Sequence, residues 1–477
     1  MALPDQPNDW VSFLATRHDA DIFGTGGRSN PGFKGLRELD AYYEGTQPLT
    51  YMHPDLLREV QDRIQPVVIF WPQLAVDSVE ERLDPEGFRL PDEDAGDDDL
   101  WRVWQSNDLD EESQLGRVDA LVMRRSYLSV GTNEDDADTP LVTVESPLET
   151  YAYVDPRTRK VAAALKRTYV ADSFVRVPER YATLYLPDVT VWYEYSNDWR
   201  EADRDVHNLG VPPVVPMVNR ARTVDRCGRS ELTPIIPLSD AANKLATDMM
   251  VAAEFVAIPL RGLFGVGPED LEDAQGNKLT ALQAIMGKLL TIPDDDGTAK
   301  HFEFTSANLT NFHDSINALA KLVASMAGLP PHALGFTTDN PASADAIRSA
   351  EARLVKRAER KQVAFGGAYE QTMRLVRRFQ EGDWDPRLKR LETIWRDAST
   401  PTIAQKADAA LKLFNLPQPI VPLRQTRETL GYSDAQIARM EADDAKQEAE
   451  HAALFKLPTA ADRVNGAPSG NPNPVTS

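Results

Sequence analysis

By type alone, the side chains best suited to chemistry are the acidic runs at 97–99, 134–136 and 294–296. Clustered carboxylates can hold Mg²⁺ or Ca²⁺, and a held Mg²⁺ can activate water. These runs lack the alternating spacing of a calcium loop, and no Lys or His converges on them, so solvated turns are the plainer reading. The histidines at 18, 53, 207, 301, 313, 332 and 451 have no ligand-like spacing. His313 lies beside an apolar stripe and reads as a packing residue. Gly24–Gly27 lacks both the third glycine and the preceding strand of a dinucleotide fold. Gly287-Lys288 is followed by Leu289 where a phosphate loop needs Ser or Thr. Neither a His-Glu-x-x-His nor a Gly-x-Ser-x-Gly occurs. Cys227 is the sole cysteine, which excludes an intramolecular disulfide and a thiolate metal cluster. No catalytic residue, metal site or cofactor is assigned, and a long chain without such motifs reads as an assembly component.

The elements that would position any site change character along the chain. Leu36–Tyr43 opens a helix after a polar, glycine-rich start, and Asp110 to Met123 reads as an amphipathic helix with Leu115, Val118, Leu121 and Val122 on one face. Between Tyr127 and Trp199, short β-branched and aromatic runs at Tyr127–Val130, Val142–Val144, Val161–Leu165, Thr183–Leu186 and Val189–Tyr195 predict a β-rich module. Gly210–Pro216 is extended, because each proline biases its predecessor away from the helical region. Ser239 or Asp240 is placed to cap a helix to about Ile258, with Leu238, Ala242, Leu245, Met249, Ala252 and Val256 as its stripe. Mixed sequence with turns fills 259–304. A second helix carries Phe312, Ile316, Leu319, Val323 and Met326 on one face and stops at Gly328 and the following prolines. From Ser343 a helix runs to about Glu381, on the order of 55–60 Å at about 1.5 Å per residue. Ile347, Leu354, Phe365, Tyr369, Val376 and Phe379 form its apolar stripe, and Gly366-Gly367 is a candidate kink. Leu388–Asp397 is expected to return as a strand to the β module. A helical region follows from Ile403 to about Lys456, and 458–477 reads as disordered.

The chain has 477 residues, 42% hydrophobic, and a formal net charge of −22. That permits a sizeable core and several domains. It excludes a simple duplex-wrapping protein, which needs a basic footprint. No secretory leader and no apolar run long enough to span a membrane is evident, so no membrane partner is expected and a cytosolic folding compartment fits.

Several segments together resemble the Gp6-like family of siphophage portal proteins. They are Leu39–Leu49, Ala75–Phe88, Trp101–Asp110, Val144–Pro147, Gly210–Asn219, Gly228–Asn243, Pro330–Gly335 and Ser343–Ile347. Each is short; their order and their spread from about residue 36 to 400 carry the match. The resemblance implies an α+β portal fold with a β-rich and helical wing, a two-helix stem, a small mixed clip, a long wing helix and a helical crown. On that plan 1–236 is wing, 237–258 the first stem helix, 259–304 the clip and 305–328 the second stem helix. Residues 329–342 form the tunnel loop, 343–399 the long wing helix and returning strand, 400–457 the crown, and 458–477 the tail.

The implied function is a ring, usually a dodecamer in assembled particles, at one capsid vertex of the virion. Double-stranded DNA would pass through it, packaged by a large terminase and later ejected. Head-completion or adaptor proteins, the major capsid protein and scaffolding protein are the implied partners, with assembly in the host cytoplasm. Lys244, Asp248, Glu254, Asp314, Asn317 and Lys321 are candidates to line the channel. His332, Thr337, Thr338, Asp339 and Asn340 are candidates to face DNA from the tunnel loop. Glu269, Asp270, Glu272 and Asp273 are candidate docking residues of the clip. The basic residues of the long helix, Arg348, Arg353, Lys356, Arg357, Arg360, Lys361, Arg374, Arg377 and Arg378, read as a solvated or intersubunit face in preference to a DNA contact. The competing reading is a metal-dependent DNA-processing enzyme using one of the acidic runs.

Overall fold

The computed structural model describes residues 3–24, 34–48, 67–90, 96–136, 138–170, 179–195, 198–256, 261–264, 289–292, 300–303, 309–335, 344–399, 408, 412, 421–432 and 434–454. The chain divides into two compact units, Met1–Ser399 and Thr400–Ser477. The first begins with α1 (Pro7–Ile22), α2 (Leu36–Tyr43), α3 (Trp71–Glu80), β1 (Pro85–Arg89), α4 (Asp98–Ser106) and α5 (Leu109–Met123). Eight strands follow: β2 (Arg125–Gly131), β3 (Leu141–Glu145), β4 (Thr150–Val154), β5 (Val161–Val170), β6 (Glu179–Tyr185), β7 (Thr190–Tyr195), β8 (Trp199–Asp205) and β9 (Val214–Val218). Next come α6 (Ile236–Val256), β10 (Arg261–Phe264), β11 (Leu289–Ile292), β12 (Lys300–Glu303), α7 (Thr310–Ala327), α8 (Ala344–Glu381) and β13 (Glu392–Trp395). The fold is a mixed α+β architecture. The second unit contains α9 (Leu423–Leu430) and α10 (Asp434–Leu454), joined by Arg424–Glu441 at 3.0 Å and by Arg427–Asp444.

The β-rich module is two sheets, not one. β4 to β8 form an antiparallel meander in sequence order, while β2 is sandwiched between β3 and β9. Alternation along the meander sends Ala163, Leu165, Ala182, Leu184, Val191 and Tyr193 to one face, where Trp10, Val11 and Leu14 of α1 cover them. His18, on the same helix, is buried. Its Nε2 donates to the Pro147 carbonyl at 2.9 Å, and its Nδ1 accepts from Arg167 at 2.8 Å. Burial, then the Arg167 charge, lowers its pKa to about 4.

The larger core lies under α8, whose 38 residues span about 57 Å. Phe88, Trp101 and Trp104 cluster there, and Trp104 meets Tyr369 edge-on at 5.0 Å. The acidic run at 97–99 has a structural task. Asp97 caps α4 by accepting from the N–H groups of Asp99 and Leu100 at 3.1 and 3.0 Å. Arg377 of α8 then ties Asp97 and Asp99 at 3.0 and 2.7 Å.

Three expectations need correction. Leu115 is 57% exposed, because α5 buries the small row Ser113, Gly116 and Ala120 together with Leu121 and Val122. α6 starts at Ile236, with Pro237 in its first turn, so neither Ser239 nor Asp240 caps it; Ser239 is buried and Asp240 accepts from the Tyr42 hydroxyl at 3.0 Å. The strand after α8 does not return to the β module but pairs antiparallel with β1. Gly366 serves that pairing: a Cβ there would lie 3.1 Å from Trp395 Nε1, and its carbonyl accepts from Thr393 at 3.2 Å.

His18 gives the fold a pH signature. The unfolded imidazole titrates near 6.5 and the folded one near 4, so the unfolded chain takes up the proton first as pH falls. The contribution is complete above pH 6.5 and disappears between 6.5 and about 4, to a limit of about 3 kcal/mol. Thermal melts across that range should show His18→Gln less stable at pH 7.5 but with a flatter pH dependence than the parent; parallel curves would remove His18 from this role.

Candidate functional site

α6 and α7 pack together, and the sheet β11-β10-β12 lies in the chain between them, so the pair forms a hairpin with the sheet beyond its far end. β10 pairs parallel with β11 and antiparallel with β12. Small residues make the close approach possible. α7 buries Ala320, Val323, Ala324 and Ala327, with Phe312, Ile316 and Leu319 half-buried. α6 buries Ser239, Ala242, Asn243, Ala246 and Thr247, with Leu238, Leu245, Met249 and Ala252 half-buried. The inner face of α6 is thus smaller and more polar than its apolar stripe suggests. Its polar members seat another segment: Asn243 Oδ1 accepts from Ile69 N–H at 2.8 Å, and Thr247 Oγ1 accepts from Val67 N–H at 3.4 Å.

The outer faces mix charge with bare hydrocarbon. Lys244 and Asp248 form an exposed ion pair at 2.7 Å, one turn apart. Asp314, Asn317 and Lys321 are exposed on α7. Glu254 belongs to α6, and its side chain lies outside the described residues. Met250 (46% exposed), Leu322 (53%) and Met326 (51%) also face outward. Met326 therefore leaves the expected stripe, displaced by Ala324 and Ala327 on the inner face. His313 is exposed too, and is no packing residue.

α7 ends where expected. Gly328 adopts φ +71°, donating to the Ala324 carbonyl, and Pro331–Leu334 forms a short 3₁₀ turn. His332 in that turn is half-exposed, with Nε2 3.7 Å from Glu351 Oε1. Thr337, Thr338, Asp339 and Asn340 lie outside the described residues, as do Glu269, Asp270, Glu272, Asp273 and the acidic run 294–296.

The joint between hairpin and long helix is ionic. Glu231, five residues before α6, is fully buried. Its carboxylate receives Arg220 at 2.8 Å, Arg357 at 2.6 Å and Lys361 at 2.5 Å, and Lys361 also reaches Asn219 at the end of β9. Burial alone would raise the Glu231 pKa; the three cations outweigh it and hold the carboxyl below its usual range. Lys361 is lowered to about 8 by burial, with Arg220 and Arg357 opposing the attraction of Glu231. The turn that delivers Glu231 requires Gly228: at φ +83°, a Cβ would lie 2.5 and 2.6 Å from the carbonyl oxygens of Arg124 and Asn219.

The sequence reading missed this cluster and placed its cations on the surface of the long helix. Arg357, Lys361 and Arg377 are instead internal, Lys356 pairs with Glu359 at 2.5 Å, and Arg374 donates to the Glu370 carbonyl at 3.0 Å. A signal existed: Glu231 is the one acid in the stretch 228–236, whose other members include the buried Leu232, Ile235 and Ile236.

Elsewhere, a cleft of about 360 Å³ separates the two β-sheets. In its lining Glu145 is bound to Lys166 at 2.7 Å and to Thr143 at 2.7 Å, while the buried Nε2 of His207 has no hydrogen-bond partner. Among the described residues, no group of three or more His, Cys, Asp or Glu side chains is arranged to hold a metal, and no helix is long and apolar enough to cross a membrane.

A family model described as phage portal protein, SPP1 Gp6-like, matches residues 33–450. The portal protein of Mycobacterium phage D29 is 39% identical over 448 residues, covering 92% of this chain and 90% of its own. That of Mycobacterium phage L5 is 38% identical over 446 residues, with 91% and 90% covered. A chain from the virion of a native gene transfer agent particle aligns with a TM-score of 0.41 and 14% identity, over 87% of this chain and 98% of that one.

Removing one partner of a buried charge set leaves the others uncompensated, at about 3–5 kcal/mol. Glu231→Gln should therefore lower the unfolding midpoint sharply at pH 7, and adding Lys361→Met to that variant should restore part of the loss. A Glu231→Gln protein melting with the parent would show that the cluster does not hold the joint.

Proposed function

The chain belongs to the SPP1 Gp6-like family of phage portal proteins and serves as a phage capsid portal, and we propose that it does so as a ring whose bore is lined by the α6–α7 hairpin. The observation that carries this reading is the outer surface of that hairpin. Met250, Leu322 and Met326 are large, apolar and about half-exposed on a pair of helices whose inner faces are already packed. Leu322 and Met326 are one turn apart on α7, and such exposed apolar residues favour burial against a neighbour, which a closed ring of identical copies supplies for every subunit. Lys244, Asp248, Asp314, Asn317 and Lys321 share these outer faces and suit an aqueous bore. The Lys244–Asp248 pair satisfies itself, which leaves little fixed positive charge to grip phosphate.

On this reading α6 and α7 are the stem helices, and the segment 259–304, which holds β10 to β12, is the clip. The first 236 residues with α8 and β13 make the wing, and the unit beginning at Thr400 makes the crown. The tunnel loop spans 329–342. His332 at its start, with Thr337, Thr338, Asp339 and Asn340, would touch translocating DNA through steric and weak polar contacts. Glu269, Asp270, Glu272 and Asp273 would form part of the docking surface for the large terminase and then for head-completion proteins. We infer a dodecamer at one vertex of the capsid, assembled with scaffolding and major capsid proteins in the host cytoplasm, with no chemistry of its own. Within that acidic run Asp97 caps a helix and both Asp97 and Asp99 pair with Arg377, which gives two of its three carboxylates a structural task.

Electron microscopy of the purified full chain should reveal round particles with a central hole. A Leu322→Asp/Met326→Asp double variant should keep its helical circular dichroism yet sediment as monomers. Rings formed by that variant as readily as by the parent would refute the proposed role of the outer α7 face in ring closure.

A further inference from the structure

The Glu231 cluster is short of negative charge. Arg220, Arg357 and Lys361 share one carboxylate, and Arg353 stands one helical turn before Arg357 on α8. The stems of Arg353 and Arg357 both cross Gly328, their carbons 3.2 and 3.3 Å from where its Cβ would be, so both guanidinium stems converge on the C-terminus of α7. Only Nη2 of Arg357 reaches Glu231. Its Nε and Nη1 are buried and bonded to nothing, although the side chain is just 12% exposed. A guanidinium cannot shed its proton to escape such a site, so two charged donors stand unanswered in a low-dielectric setting. Burial first, and then the charges of Arg220 and Arg353, disfavour the charged form of Arg357 against the pull of Glu231, and burial likewise lowers Lys361.

We propose that Arg220, Arg353 and Arg357 form an oxyanion site, built for a phosphate group, at the joint where the end of α7 meets α8. The charge balance selects the ligand class. Four cations against one carboxylate leave an excess that a phosphate dianion answers better than a carboxylate monoanion. A tetrahedral oxyanion also offers separate oxygens to donors arriving from different elements, here the turn after β9 and two turns of α8. The C-terminal carbonyls of α7 contribute negative potential nearby but give Arg357 no hydrogen bond. The heads of Arg220 and Arg353 are exposed and open to a small free phosphate, which the closed-off Nε and Nη1 of Arg357 would meet once its guanidinium turns outward. A phosphodiester of nucleic acid is the second source of the same chemistry.

The site stands on these residues alone and does not depend on the ring. Titrating the full-length protein with inorganic phosphate at constant ionic strength should give saturable binding and a higher unfolding midpoint than the same ionic strength of chloride. Arg353→Met removes an exposed head with no ion pair among the described residues, so it should keep the parent's circular dichroism while weakening phosphate by about tenfold or more. Arg353→Lys, which keeps charge but loses the fork, should fall between them. A short DNA duplex that displaces phosphate would identify the phosphodiester as a source, and failure to displace it would assign the site to free phosphate. Absence of saturable binding, equal binding by Arg353→Met, or acetate bound as tightly as phosphate would each overturn the proposal.

Discussion

The buried carboxylate of Glu231 is the constraint on which the first unit depends. It sits between the end of β9, the turn that launches α6, and the middle of α8, and it binds a cation from two of those three elements. An ionised carboxylate without water is tolerated only when its lone pairs are met, so the three segments cannot drift apart independently. The direction of α6, and with it the whole hairpin, is thereby referred to the long helix. Lys361 adds a second anchor by reaching Asn219 as well as Glu231, while Gly228 permits the chain to pass close enough for both.

The same logic explains how α8 holds the rest of the unit. Arg377 reaches forward to the capped end of α4, Tyr369 meets Trp104 and Arg117, and Gly366 receives β13. Arg117 is itself buried against Glu80 at 2.8 Å. One continuous helix therefore ties the N-terminal helices, the three-stranded sheet and the hairpin's base by directional contacts over an apolar core. Such contacts specify register more than they add stability, since each charge must first be desolvated.

The sequence reveals some of this and hides the rest for identifiable reasons. Leu36–Tyr43, the strand runs at 127–130 and 189–195, and the helix ending at Gly328 were legible because periodicity and turn residues act locally. The strand Trp199–Asp205 was not, because it is an edge strand of charged residues with almost no apolar face. Leu115 and Met326 were misplaced because small residues, invisible to a hydrophobic stripe, take the inner face when helices approach closely. The basic face of α8 misled most: a charge run looks solvated until the acid that buries it is known, and Glu231 lies 126 residues away from Arg357. The family resemblance came from scattered short segments, one of which, Gly228–Asn243, contains Glu231; similarity located the segment, and only three-dimensional packing gave its acid a task.

Internal use of cations also alters what the acidic composition means. Arg82, Arg117, Arg124, Arg125, Arg357, Lys361 and Arg377 withdraw into pairs with Glu351, Glu80, Asp21, Glu231 and Asp97, every one of these side chains less than 20% exposed. Among the described residues, seven cations and five carboxylates are thus spent on internal pairs, in a chain whose formal charge is −22. A duplex passing such a surface meets repulsion moderated by salt, with a decay length of roughly 8 Å at physiological ionic strength. Adhesion is then confined to places where cations surface, and sliding costs little elsewhere. The acidic character that rules out a DNA clamp is, for a proposed conduit, the physical condition for moving DNA without holding it.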